Sequence, residues 1–250
     1  MISRTYNGNI NTINTYNTMK NILIIGASKG IGLRTAQLLS ATYNVYTASR
    51  TVTPELTALN THNFILDVTT GLPGDLQQLP EELHGLVYCP GTINLKPFTR
   101  LTENDFINDF RVNVLGAVQV IQYCLPRLKK ANGSSIVLFS TVAAKTGMAF
   151  HGSVAASKAA VEGLAKSLAA ELAPAQIKVN VVAPSLTDTP LAKNLLSTPE
   201  KVEASARRHP LNRVGTTDDM AAITAFLLSD NATWITGQVF GVDGGLSSLR

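Results

Sequence analysis

Gly26-Ala27-Ser28-Lys29-Gly30-Ile31-Gly32 is the stretch whose residue types and spacing most directly imply chemistry. It follows the apolar run Ile22–Ile25 and leads into a helical pattern. Glycines permit a tight turn and close backbone approach. A helix that starts there presents unsatisfied N–H groups and a partial positive charge. Together these make a cradle for a pyrophosphate. A plain strand-to-helix connector can use similar glycines, but this one closes the first strand of an alternating chain. The second strand ends Ala48-Ser49-Arg50, without the carboxylate that accepts hydrogen bonds from the ribose hydroxyls of NAD. Arg50 and Lys29 can both face a 2′-phosphate, for which an arginine fork is suited. Their alternative is to be solvated surface charges. The pattern favours NADP(H) over NAD.

A second group of candidates lies further along. His151, Val154 and Lys158 are spaced to share one helix face. Ser153 beside them reads as the N-cap of a long helix, with a nucleophile as the alternative. Cys89 has no neighbouring cysteine and reads as a small buried hydrophobe rather than a redox group. Arg207-Arg208-His209 reads as the solvated end of a helix, with anchorage of a carrier or coenzyme phosphate as the alternative.

The elements that must position these residues alternate. Ile22–Ile25, Asn44–Ala48, Asn63–Leu66, Leu86–Tyr88, Ser135–Phe139 and Lys178–Val182 read as strands, and Gln238–Val242 as a last one. They are nearly continuous apolar runs, as parallel strands covered on both faces require. Helices are expected to begin near Ile31, Thr102, Ser153 and Thr217, the third with an apolar stripe through Val154, Val161, Leu164, Ala165, Leu168 and Leu172. This predicts an α/β fold, a doubly wound parallel sheet of Rossmann type, in a single domain over 19–250. Residues 1–18, rich in Asn and Thr, are expected to be a disordered extension.

The bulk numbers agree. A length of 250 residues with 45% hydrophobic content suits one sizeable core. A net charge of +4 without a Lys/Arg block argues against nucleic acid. Two cysteines suit a reducing, cytoplasmic setting. No apolar run approaches the roughly 18 residues of a membrane span, and no metal is expected at the site.

From about Met19 onward the chain resembles the short-chain dehydrogenase/reductase family. The Gly-x-x-x-Gly-x-Gly spacing of the cradle is that family's form. Asp67-Val68 matches its adenine-contacting pair. Gly91, in Cys89-Pro90-Gly91, matches the glycine of its Asn-Ala-Gly, and Asn113-Val114-Leu115-Gly116 matches its Asn-x-x-Gly. Pro184-Ser185-Leu186-Thr187-Asp188-Thr189 matches its nicotinamide loop, with Ser185 in place of a glycine. By this resemblance Gly26, Ser28, Lys29, Gly30, Ile31, Gly32, Arg50, Asp67, Val68, Gly91, Lys158, Thr187 and Thr189 bind the cofactor, and the substrate is a small molecule. The resemblance also implies a homotetramer or homodimer, paired through the long helix after Ser153 and through the last strand.

In that family a tyrosine four residues before the lysine donates a proton to the substrate carbonyl. A serine thirteen before the tyrosine holds the oxygen. Here Lys158 is present, Thr141 keeps a hydroxyl, and Asn113 is in place for a supporting water chain, but Val154 occupies the tyrosine's position. Loss of a general acid costs about 10²–10⁴-fold in rate. His151, seven before Lys158, stands where related enoyl-thioester reductases carry their tyrosine, and it could donate an N–H to the developing oxyanion. Its alternative is a rim residue without a chemical role. The expected catalytic set is Asn113, Thr141, His151 and Lys158. The expected function is an NADPH-dependent reductase of a carbonyl or activated C=C, such as a 3-oxoacyl thioester. The alternative is a pseudoenzyme that senses NADP(H) or assembles with a partner.

Overall fold

The computed structural model describes residues 19–71 and 74–249, so the expected disordered extension over 1–18 lies outside the described residues. Seven parallel strands form one sheet: β1 (Asn21–Ile25), β2 (Asn44–Ser49), β3 (Thr61–Ile65), β4 (Gly85–Tyr88), β5 (Ser134–Phe139), β6 (Ile177–Pro184) and β7 (Val239–Val242). Their order is β3-β2-β1-β4-β5-β6-β7. The order reverses between β1 and β4, and the crevice beyond the strand ends at that switch is where such sheets take ligands.

The central strands are buried on both faces because both faces are covered. On one side Leu23, Leu86, Ile136 and Val179 pack beneath α4 (Gly116–Lys130) and α5 (Gly152–Leu172). On the other, Ile22, Ile24, Val87 and Val137 pack beneath α1 (Gly30–Leu39) and α7 (Thr217–Leu228). Alternate residues of one strand feed opposite cores, which is why the runs are continuously apolar. A short α2 (Pro54–Thr57) follows β2, and α6 (Pro199–Ala206) lies between β6 and α7.

Local chemistry sets the helix starts. Thr102 caps α3 (Glu103–Phe110) and Thr216 caps α7, each in a reciprocal capping box with the aspartate three residues on. The helix expected from Thr102 runs into α4 through a π-helical turn at Arg111–Leu115, a widened turn of the kind found at functional sites. The start of α5 corrects one expectation. His151 holds the cap position without a side-chain cap bond, and Ser153 lies inside the helix. Ser153 is buried and its Oγ accepts from Asn94 Nδ2 at 3.3 Å, so it is neither the N-cap nor a free nucleophile.

Candidate active site

The cradle is built as its residue types require. Gly26 adopts φ +82° and a Cβ there would press on Pro90 at 3.1 Å. At Gly32 a Cβ would overlap the Gly26 carbonyl, so α1 can start this close to β1 only with glycine at that position. Lys29 and Arg50 are exposed at the lip of a cleft of about 710 Å³, whose walls also include Ser28, Asp67, Val68 and Gly91. Hydrogen bonds from the Thr69 hydroxyl and N–H, with help from the Arg50 charge, hold the Asp67 carboxyl below its usual range. The carboxylate therefore stays an acceptor at the end of β3.

Three elements bring the second half of the site together. Asn113 sits in the π-helical turn, 1% exposed. Its Nδ2 donates to Ser157 Oγ at 2.9 Å and to Thr92 Oγ1 at 3.1 Å, while its buried Oδ1 has no protein partner. A Cβ placed on Gly91 would lie 3.3 Å from Lys158 Nζ and 3.6 Å from Asn113 Oδ1, so glycine there lets these two groups approach a common space. Gly116 is required for packing, because the Tyr88 hydroxyl fills the place of a Cβ while donating to the Val112 carbonyl.

Lys158 extends from α5 and donates to the Phe139 carbonyl at 2.8 Å. Burial pulls its ammonium down to about 8, against the opposing pull of Cys89 and Asp109. The Cys89 thiol is pushed up to about 12 by the same enclosure, so it stays a thiol at neutral pH.

A second cavity, of about 330 Å³, shares Gly91, Thr189 and Leu191 with the cleft. Thr141, His151, Val154 and Lys158 all line it. Val154 is 6% exposed and closes the wall where a phenol was missed from the sequence. Thr141 Oγ1 accepts from the Ala143 N–H at 3.3 Å, which leaves its own proton free to turn toward the cavity. His151 Nδ1 lies 2.7 Å from the Ala149 carbonyl. A carbonyl only accepts, so Nδ1 carries the proton and the neutral ring offers an acceptor Nε2. Thr187 and Thr189 sit in the loop after β6, and Thr189 caps the 3₁₀ turn Pro190–Leu196 that covers the cradle. Of the four residues expected from the sequence, Thr141, His151 and Lys158 line this one cavity, while Asn113 is in neither wall and stands behind Gly91, on the side of Lys158 Nζ.

Sequence reasoning missed two residues. His209 was read as a solvated helix end, yet it is 5% exposed and lines the cavity. Its Nε2 lies 2.8 Å from Ser185 Oγ and its Nδ1 2.9 Å from the Ser205 carbonyl. The pair spans 24 positions in the chain. The only sequence signal was Ser185 standing where the resembled loop has glycine.

Comparison with known proteins agrees with this architecture. A family model described as enoyl-(acyl carrier protein) reductase matches residues 26–247. A 3-oxoacyl-[acyl-carrier-protein] reductase, FabG, of Thermotoga maritima is 33% identical over 245 residues, covering 90% of this chain and 96% of that protein. A tropinone reductase homolog of Arabidopsis thaliana is 33% identical over 244 residues, covering 91% and 92%. Among solved structures, the ligand-free aldohexose dehydrogenase of Thermoplasma acidophilum superposes with a TM-score of 0.84 at 27% identity, covering 93% of this chain and 96% of that one. ElxO with NADP bound gives 0.84 at 29% identity, covering 92% and 100%. With its cradle, its strand order and these matches, the chain belongs to the short-chain dehydrogenase/reductase family of oxidoreductases.

Proposed function

We propose that this protein is an NADPH-dependent reductase acting on a carbonyl or activated C=C, with 3-oxoacyl thioesters as the first class to try. The observation that carries the reading is the wall the two spaces have in common. The apolar cavity and the nucleotide cleft share Gly91, Thr92, Thr189 and Leu191, which supports a substrate in the one lying beside a cofactor in the other. The residues fit such a cofactor: glycines where a Cβ would collide, a helix N-terminus for the pyrophosphate, and Lys29 with Arg50 for a 2′-phosphate. Bound there, a reduced nicotinamide supplies hydride. The name of the Thermotoga relative supports the substrate class.

The chain's own residues divide the remaining work. Lys158 holds the nicotinamide ribose, with Asn113 Oδ1 ordering a water beside it. Thr141 donates to the substrate oxygen, and His151 meets the substrate at the rim through Nε2. Thr187 and Thr189 hold the carboxamide end. Leu191, Leu195 and Met148 supply apolar walls, which suits an acyl chain. The active unit is a homodimer or homotetramer. Apolar side chains exposed on α3, Ile107 and Phe110, and on the π-helical turn after it, Leu115, and the fully exposed Trp234 before the open edge of β7 support that assembly.

The second reading, a protein that binds NADP(H) without turnover, is favoured by Val154 alone. Incubating the protein with NADPH and a panel of 3-oxoacyl, enoyl and dienoyl thioesters and simple ketones separates the two: oxidation of NADPH with any of them supports the reductase.

A further inference from the structure

Val154 cannot give up the proton that a phenol would, and besides Thr141 the same cavity holds a hydroxyl already wired to an imidazole. Ser185 Oγ and His209 Nε2 are 2.8 Å apart, and His209 Nδ1 is 2.9 Å from the Ser205 carbonyl. Because that carbonyl can only accept, Nδ1 carries a proton in every protonation state of the ring. Nε2 therefore accepts from Ser185 when the ring is neutral. It donates to Ser185 Oγ when the ring is charged, which frees the serine proton to point elsewhere.

The surroundings favour a role beyond packing. The backbone at this corner is already tied by His209 N–H to the Ala206 carbonyl and by Leu211 N–H to the Gly244 carbonyl, so the side-chain pair is not needed to hold it. Ser185, Ser205 and His209 all line the cavity that contains Thr141, Val154 and Lys158. Arg208 is exposed and shares the cavity wall with His209. Asp243 is the neighbouring carboxylate: burial opposes its ionisation, but hydrogen bonds from Ser247 and Gly245, together with the His209 charge, keep its carboxyl below the usual range.

We propose that Ser185 and His209 form a proton relay that does the work of the missing phenol, a role that rests on the reductase reading above. As hydride from the reduced nicotinamide forms the C–H bond at the carbonyl carbon, the carbonyl π bond breaks and its electron pair stays on oxygen. That oxygen takes the Ser185 proton. Ser185 Oγ takes the Nε2 proton of charged His209, and the neutral ring regains a proton from solvent at the mouth. Ser185 touches the substrate and is a catalytic residue; His209 acts through it and is a positioning residue.

The test uses the whole protein. Ser185→Ala is expected to lower kcat by about 100-fold with KM and NADPH affinity, read by fluorescence titration, within about threefold. Ser185→Thr, which keeps the hydroxyl, is expected to retain most of the rate. Ser185→Gly, the residue of the resembled loop, repeats the test should the alanine variant fold poorly. His209→Ala is expected to lose the rate and regain part of it in free imidazole, which a merely structural histidine does not do. Independently of turnover, long-range ¹H–¹⁵N spectra are expected to show His209 protonated on Nδ1, with an Nε2 signal that moves in Ser185→Ala. An unchanged kcat in Ser185→Ala and Ser185→Gly, or a ring protonated on Nε2 alone, overturns the relay and leaves the reductase reading standing. No turnover by the unmodified protein on any substrate overturns both.

Discussion

Lys158 Nζ donates to the Phe139 carbonyl at 2.8 Å, which ties the side chain of α5 to the end of β5 and holds its charge beside Gly91. Burial lowers the folded-state value to about 8, against about 10.4 for an unfolded lysine. Two effects of opposite sign follow. The ammonium is present below pH 8, so NADPH affinity is expected to fall as pH rises through about 8. Between about 8 and 10 the unfolded chain binds more protons than the folded one, so this lysine makes stability rise with pH over that window. Lys158→Met is expected to remove both slopes, in fluorescence titrations and in urea unfolding respectively.

Asn113 ties the π-helical turn to α5 and to the loop after β4 through Ser157 and Thr92. Asn113→Ala leaves the Ser157 hydroxyl with one partner fewer in a buried place, at a cost of about 1–3 kcal/mol. Urea unfolding is expected to show that loss with an unchanged m-value, and NADPH turnover to fall with it. Full stability in the variant contradicts the tie.

Arg50 and Lys29, exposed at the lip of the cleft, are the proposed contacts of a 2′-phosphate. Arg50→Glu is expected to weaken NADPH binding more than tenfold and to leave NADH binding the same or better. Equal losses for both cofactors contradict a 2′-phosphate role.

The fold was legible because its strands are buried on both faces, and continuous apolar runs mark such strands without reference to partners. Asn113, Thr141 and Lys158 were legible only through the resemblance, Asn113 from the family's Asn-x-x-Gly and the other two from its Ser, Tyr and Lys spacing. The start of α5 was not, since a serine at Ser153 looks like a cap until its burial against Asn94 is seen. Nor was His209. Flanked by two arginines and a proline it reads as solvated, and only the return of the chain after α6 brings it under the loop after β6, against Ser185.

Val154 gives a direct comparison of proton sources. Val154→Tyr in the Ser185→Ala background is expected to restore at least tenfold of the lost rate, because the phenol enters the same cavity opposite the relay. His151→Ala is expected to cost less than tenfold, since its Nδ1 proton is already held by the Ala149 carbonyl. A loss above tenfold there, with Ser185→Ala unaffected, transfers proton donation to His151.

Reduction driven by NADPH is measured most directly as steady-state loss of NADPH absorbance with the purified protein and the thioester and ketone panel. Turnover of at least one substrate is expected, with NADPH preferred over NADH. No turnover across the panel, with NADPH binding still measurable, contradicts the reductase reading.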